Sequence, residues 1–179
     1  MLMLEALITS KTRIKLLLKF FLNSNNKAWL RSLETEFGES TNSIRLELNR
    51  LQNAGLLVKL EEGNKKVYQA NVSHPLFPEI NNILLKHIGV DSIINNIANN
   101  IGELDKVYLV GELAKGNNSN MIDLWLVGSN IDKNYLLKIV EKAEKGIKRK
   151  IRYLILNEEE LEGFIVEKNE EELLLLWKS

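Results

Sequence analysis

Residues 40–68 read STNSIRLELNRLQNAGLLVKLEEGNKKVY, and this stretch decides the fold of the first half of the chain. Ser40 suits the cap of a helix, because its hydroxyl can accept a hydrogen bond from a free backbone N–H group of the first turn. Gly55 is typical of the position past the last turn, where the backbone takes a positive φ. Between them, apolar residues recur at helical spacing and predict one buried face: Ile44, Leu48 and Leu51.

A hairpin is predicted directly after this helix. Residues 56–60 and 67–70 have the composition of short strands, and Gly63 lies in the turn between them. Lys65 and Lys66 follow that turn and give the hairpin a positive charge. The helix is therefore expected to be followed by a basic hairpin.

Two earlier helices are predicted, at residues 10–22 and 28–37. Both segments carry apolar residues three and four positions apart, and Gly38 ends the second. The order helix, helix, short turn, longer helix, hairpin is that of a winged helix-turn-helix. Domains of this kind place the third helix in the major groove of double-stranded DNA.

The stretch also resembles a known family. Residues 40–57 are similar to the recognition-helix segment of arsenic-repressor-type (ArsR-type) winged-helix regulators, and the resemblance covers roughly residues 8–72. Its most specific part is Leu48-x-x-Leu51-x-x-Ala54-Gly55-Leu56-Leu57. The family's thiolate metal-sensing motif cannot be present, because the chain has no cysteine. The resemblance implies a transcription regulator that binds double-stranded DNA as a homodimer. The apolar helices at 10–22 and 78–101 are candidate dimer contacts.

The polar side of the predicted third helix carries groups that can contact DNA. Asn42, Arg45 and Asn49 lie opposite the apolar face and offer donors and acceptors to base edges. Hydroxyl groups at the helix start suit phosphate contacts. Leu46 lies in the middle of this polar face, so that it either touches a thymine methyl group or marks a face that packs on protein. The predicted DNA-binding residues are Ser40, Thr41, Asn42, Ser43, Arg45, Leu46, Asn49, Lys65 and Lys66.

Composition places the chain among globular proteins, with 45% of its 179 residues hydrophobic. The absence of cysteine excludes disulfides and thiolate metal sites. No apolar run approaches the ~20 residues that span a bilayer. Residues 1–5 are too short and lack the basic lead of a signal peptide. We therefore expect a cytoplasmic protein with no membrane partner.

The net charge of zero hides an asymmetry along the chain. Residues 1–90 carry 12 Lys and Arg against 8 Asp and Glu, a balance of +4, and residues 91–179 carry 12 against 16. A basic first half is what phosphate contacts require. Pro75 and Pro78 are the only prolines and disfavour helix immediately before them. The predicted division is a winged-helix domain at 1–73, a linker and connecting helix at 74–89, and a second domain at 90–179.

Strands and helices alternate in the second half. The predicted strands are 106–111, 121–128, 150–156 and 173–177. The predicted helices are 78–88, 91–101, 132–145 and 158–166. A polar loop at 112–120 separates the first two strands. This alternation predicts an α/β domain with a mixed sheet, and the whole chain is expected to be α+β.

This order of elements resembles the nucleotidyltransferase (polymerase-β-like) superfamily, in its minimal branch, over roughly residues 90–177. Members carry a Gly-Ser turn for the nucleotide triphosphate and an Asp-x-Asp pair that holds two Mg²⁺ ions. Gly111 matches the glycine, and Lys115 lies in a second small, basic turn. Glu112 replaces the serine, and Asp123 alone remains of the aspartate pair.

The departures from that pattern predict that the reaction has been lost. Met121 takes the place of the first aspartate, and Arg152 lies on the strand that would carry the third carboxylate. A single carboxylate holds a hard divalent cation poorly. We expect no enzyme activity, no catalytic residue, no metal and no cofactor. The second domain is expected to serve dimerisation or to bind a small molecule or nucleotide at a vestigial site, Gly111, Glu112, Lys115 and Asp123.

Two alternatives remain open at this point. The second domain could be an active Mg²⁺-dependent nucleotidyltransferase that uses Asp123 and Glu112, with the winged helix selecting its target. The winged helix could instead belong to a protein-interaction module, which the position of Leu46 would favour.

Overall fold

The computed structural model describes the following parts of the chain: residues 3–97, 101–147, 149–166 and 172–179. The chain divides into two compact units, Met1–His87 and Ile88–Ser179. The segment predicted as linker and connecting helix, residues 74–89, spans this division. None of the described helices has both the length and the apolar character needed to cross a bilayer.

The first unit combines helices with a small antiparallel sheet. Its helices are α1 (Met3–Leu7), α2 (Lys11–Leu17, continued by a π-helical turn at Leu18–Leu22), α3 (Leu30–Phe37), α4 (Thr41–Asn53) and α5 (Phe77–Ile88). Its strands are β1 (Ala28–Trp29), β2 (Leu57–Glu62) and β3 (Lys65–Ala70). They form a sheet in the order β1-β3-β2, with both pairs antiparallel.

Helix α4 and the hairpin β2–β3 confirm the predictions made from residues 40–68. The Ser40 hydroxyl accepts a hydrogen bond from the Ser43 N–H group at 3.2 Å, and so caps the helix. Gly55 follows the helix with a φ of +74°. The three residues predicted to face the core are at most 6% exposed: Ile44, Leu48 and Leu51.

The second predicted helix, 28–37, is wrong in its first two residues. Ala28 and Trp29 form β1 and pair with β3, and the helix begins at Leu30. The Trp29 N–H group donates to the Ser32 hydroxyl at 3.1 Å, which closes the turn into the helix. Helical spacing could not reveal this strand, because its partner lies on the distant hairpin.

The end of the first predicted helix, 10–22, also departs from the expectation. The α-helix stops at Leu17, and the next five residues form a π-helical turn. All five are buried, and Phe20 and Phe21 are 0% exposed. A π-helical turn is wider than an α-helical one, and here two adjacent phenylalanines both reach the core.

The second unit contains a mixed sheet. Its strands are β4 (Glu103–Val110), β5 (Met121–Ser129), β6 (Lys150–Leu156) and β7 (Leu173–Lys178). Its helices are α6 (Val90–Ile97), α7 (Gly111–Ala114), α8 (Lys133–Ile147) and α9 (Glu158–Ile165). The strand order is β6-β5-β4-β7, with β5–β6 parallel and the other pairs antiparallel. The predicted α+β class with a mixed sheet is confirmed.

Two predicted boundaries in this unit need correction. The loop expected at 112–120 begins with the short helix α7, which starts at Gly111. The helix expected at 91–101 ends at Ile97 among the described residues, and its residues 98–100 lie outside them.

Alternation along β5 decides which side chains share a face of the sheet. Asp123, Trp125 and Val127 lie on one face, and the intervening leucines lie on the other. Val127 and Trp125 belong to a buried cluster with Leu161 of α9. Asp123 therefore lies on the same face as that cluster, further along the strand.

Candidate functional site

The polar face of α4 is exposed in the first unit. Asn42, Ser43, Arg45 and Asn49 are all exposed, and Thr41 is half-buried. Arg45 makes one long hydrogen bond, from its Nη1 atom to the side-chain oxygen of Asn42 at 3.4 Å. A bond of that length restrains the guanidinium group little.

Leu46 lies on the same exposed face. Its side chain is 53% exposed, whereas the three apolar residues on the opposite side are buried. Ser40 differs from the other predicted contact residues, because its hydroxyl already serves the helix cap. Its direct role is thus structural.

The tip of the hairpin lines a cleft of about 440 Å³. Lys65 and Lys66 are exposed there, and the Lys65 Nζ atom lies 4.2 Å from the centre of the Trp29 ring. Such a cation–π contact orients the lysine without neutralising it. The remaining lining comes from α3 and the turn: Leu30, Arg31 and Asn64. Nothing in the sequence indicated Trp29 and Arg31 at this surface, because only the β1–β3 pairing brings them to the hairpin. Asn64 lies in the hairpin turn itself and also lines the cleft.

A buried carboxylate holds α4 against α2. Glu47 accepts hydrogen bonds from Arg13 Nε at 2.8 Å, from the Ser10 hydroxyl at 3.1 Å and from Arg50 Nη1 at 3.0 Å. Burial alone would raise the pKa of Glu47, but the hydrogen bonds from Arg13 and Ser10 and the charges of Arg13 and Arg50 lower it. Glu47 therefore stays ionised and fixes the orientation of α4. Its position between apolar residues gave no signal of this role in the sequence.

Several cations of the first unit serve the fold. Lys15 pairs with Glu39 at 2.7 Å, and Lys19 pairs with Glu36 at 3.0 Å. By contrast, no ion pair within the described ranges engages Arg31, Lys65 or Lys66. The cations at the hairpin cleft are therefore available to contact a ligand, whereas Lys15 and Lys19 are engaged by carboxylates of the protein.

In the second unit, Gly111 and Asp123 come together as the nucleotidyltransferase resemblance implied. Gly111 directly follows β4 with a φ of +71°, and Asp123 is the register partner of the preceding Val110 on the neighbouring strand. A Cβ atom at position 111 would lie 2.9 Å from the Asp123 Oδ2 atom. The positive φ favours glycine at this position, and a Cβ atom would in addition displace the Asp123 carboxylate.

Arg152 occupies the neighbouring strand beside that carboxylate. Its Nε atom donates to the Asp123 Oδ1 atom at 2.6 Å, and the two residues are register partners in the parallel pair β5–β6. The hydrogen bond from Arg152 to Asp123 raises the pKa of the guanidinium group. The Arg152 side chain is 69% exposed, against 19% for Asp123.

Glu112 and Lys115 do not join them. Glu112 is exposed and accepts a hydrogen bond from Asn117 Nδ2 at 2.8 Å. Lys115 pairs with Glu172 at 2.8 Å, and that hydrogen bond raises the pKa of Lys115. The cleft at Asp123, about 310 Å³, has a different lining: Val110, Gly111, Asp123, Leu124, Trp125, Arg152, Tyr153 and Leu154.

The residues of this cleft do not fit a pair of Mg²⁺ ions. Magnesium prefers oxygen ligands from several carboxylates. Here the single carboxylate, Asp123, is paired with a guanidinium group. Across the described parts of the chain, no group of three or more His, Asp and Glu side chains could hold a metal ion.

No known family model and no curated protein matches this chain. Similar solved structures include reduced HlyU from Vibrio cholerae N16961, 17% identical over 46% of this chain and 82% of that chain, with a TM-score of 0.37. A toxin-antitoxin structure with AMP-PNP is 17% identical, over 50% and 73%, with a TM-score of 0.38. A candidate nucleotidyltransferase from Sulfolobus solfataricus is 21% identical, over 50% and 77%, with a TM-score of 0.35. Likenesses at this level assign no function to the chain.

Proposed function

We propose that this protein is a cytoplasmic, DNA-binding transcription regulator that acts as a homodimer. Residues 1–73 form a winged-helix domain of the ArsR type that binds double-stranded DNA, and residues 74–89 form the linker and connecting helix. The observation that carries the proposal is the exposed polar face of α4, together with two exposed lysines on the hairpin that follows it. That combination supplies base-edge donors and phosphate contacts from adjacent elements.

The roles divide by chemistry. Asn42, Arg45 and Asn49 contact base edges in the major groove, since amide and guanidinium groups match the donors and acceptors presented there. Thr41 and Ser43 contact phosphate at the helix start, and Ser40 supports them as the cap. Lys65 and Lys66 on the hairpin contact the phosphate backbone of the DNA beside the groove.

The second unit, from residue 90 onward, is proposed to have a nucleotidyltransferase-like fold that has lost catalysis. The pairing of Asp123 with Arg152 supports this, because the carboxylate is already neutralised by a protein cation. The unit then serves dimerisation or ligand binding around Gly111 and Asp123. Glu112 and Lys115 belong to the vestigial nucleotide motif but lie outside the lining of the cleft at Asp123.

Binding to the DNA upstream of the protein's own coding region tests the proposal. An electrophoretic shift at 50 and 200 mM salt should show strong weakening, on the order of 10³-fold for six or more phosphate contacts. Arg45→Ala should reduce the preference for that DNA over unrelated DNA, and Lys86→Ala on α5 is the matched control. Binding that ignores salt would overturn the proposal.

Leu46 favours a second candidate, a protein-interaction module. Its 53% exposure places an apolar side chain in the middle of the face assigned to DNA. If that face binds DNA, Leu46→Ala should weaken DNA binding and change the preference at one A·T position only. If Leu46→Ala leaves DNA binding unchanged and abolishes a protein complex, the interaction module is the better account.

A further inference from the structure

Arg152 presents one edge of its guanidinium group to the cleft of the second unit. A guanidinium group carries five N–H donors in a planar fork. The Nε donor is used by Asp123. Within the described residues, neither Nη atom makes a hydrogen bond, and the side chain is 69% exposed. The two Nη atoms therefore form a free pair of donors of the geometry that binds a carboxylate or phosphate group.

The wall beside this donor pair is apolar and aromatic. Leu154 follows Arg152 by two positions on β6, lies on the same face of the sheet and is 40% exposed. Trp125 is its register partner on β5, and the Trp125 ring packs 5.4 Å from the Phe164 ring. The cleft thus combines a cation at one side with a fixed apolar surface at the other.

We propose that this cleft binds an organic anion without a divalent metal. The ligand carries one phosphate or carboxylate group, which takes the free Nη edge of Arg152, and an aromatic or apolar body, which rests on the exposed Leu154 beside the buried Trp125. This inference rests on the proposed function only in assigning ligand binding to the second unit.

Asp123 acts as a positioning residue in this site. Its carboxylate holds the Nε side of Arg152, and its negative charge opposes the charge of the ligand. Asp123→Asn would keep an acceptor for Nε and remove the charge. We therefore expect this variant to bind the anion more tightly. If the ligand were instead held through a metal ion bound by Asp123, the same substitution would weaken its binding.

Trp125 can report binding directly. The chain has three tryptophans, so full-length protein with Trp29→Phe and Trp177→Phe keeps Trp125 alone. Phenyl phosphate, benzoate and inorganic phosphate are titrated in EDTA and again in MgCl₂, by fluorescence and by calorimetry. Phenyl phosphate or benzoate should bind saturably in EDTA, and the comparison of the two identifies the preferred anion. Inorganic phosphate should bind more weakly than phenyl phosphate, since it lacks the ring.

Variants decide whether Arg152 carries the binding. Arg152→Gln should weaken it by about tenfold or more, because a charged hydrogen-bond donor is lost. Lys150→Gln removes the same charge from the same strand outside the cleft and should have no effect. Asp123→Asn should strengthen binding by roughly fivefold, and it keeps the test decisive if Arg152→Gln does not fold.

Four results would overturn the inference: no saturable binding, binding that requires Mg²⁺, binding unchanged in Arg152→Gln, or binding abolished in Asp123→Asn. DNA binding is measured separately, on the native chain and on the Arg152 and Asp123 variants without the tryptophan substitutions. Its failure would count against the regulator and leave the anion site standing, since the two readouts come from different units.

Discussion

The carboxylate of Glu47, in the middle of α4, lies 2.8 Å from the guanidinium group of Arg13 on α2. Two further donors, Ser10 and Arg50, complete its hydrogen bonds. Helix α4 is thus held against α2 by an ion pair between a buried carboxylate and a partly exposed guanidinium group.

Glu47→Ala should destabilise the first unit. The substitution leaves Arg13 without its partner and removes the hydrogen bonds that Arg13, Ser10 and Arg50 donate to a buried carboxylate, at a cost of about 2–4 kcal/mol in the free energy of unfolding. Urea denaturation followed by circular dichroism measures the change. Glu61→Ala, at an exposed position on β2, is the matched control and should change the free energy of unfolding by less than about 0.5 kcal/mol. Equal effects of the two substitutions would show that the pair between Arg13 and the buried Glu47 carboxylate does not stabilise the unit.

The same carboxylate predicts a pH dependence. The pKa of Glu47 in the folded state lies below its ordinary value of 4.5. A lowered folded-state pKa gives stability that is present above the ordinary value and is lost as pH falls through the folded-state value. The free-energy difference between the native chain and Glu47→Gln should therefore be constant near pH 7 and shrink below pH 4.5. A difference that grows on acidification would show the opposite sign and refute the assignment.

Trp29 should matter for DNA binding through Lys65. Its ring lies 4.2 Å from the lysine Nζ atom and holds it at the hairpin tip. Trp29→Leu should weaken DNA binding by roughly threefold, the scale of an exposed cation–π contact. The salt slope should remain, since no charge is lost. Trp29→Phe keeps an aromatic face and is expected to retain most of the affinity. An equal loss in both variants would assign Trp29 to packing alone.

The protein should have no nucleotidyltransferase activity that depends on Asp123. Incubation of the protein with Mg²⁺ and labelled nucleotides is expected to leave both the protein and added nucleic acid unlabelled, because the carboxylate is paired with Arg152. Label transfer that is lost in Asp123→Ala would establish the enzyme instead.

Local patterns predicted α4 and its hairpin because each signal was contained within a few residues. Ser40, Gly55 and the apolar face of the helix all act inside one element. The same is true of the strands of the second unit, whose apolar runs predicted the mixed sheet. Gly111 and Asp123 were predicted to share a site because a family pattern records their spacing, and in the structure both line the same cleft.

Contacts between distant elements could not be predicted in this way. Ala28 and Trp29 were predicted to be helical, but they form a strand because they pair with β3 on the distant hairpin. The role of Glu47 depends on Arg13, which lies on another helix. In the sequence, Arg152 was notable only because it stands where the family has a carboxylate. The parallel register of β5 and β6 places it beside Asp123, to which it donates a hydrogen bond.

The salt dependence of DNA binding by Lys65→Ala with Lys66→Ala tests the central claim most directly. Each phosphate contact contributes about 0.9 to the slope of log affinity against log salt concentration. The double variant should therefore bind with a slope about two lower in magnitude than the native chain. Lys11→Ala with Lys86→Ala removes two exposed charges elsewhere in the first unit and should keep the native slope. A slope unchanged by the hairpin substitutions, or binding indifferent to salt in the native chain, would contradict the assignment of this surface to DNA.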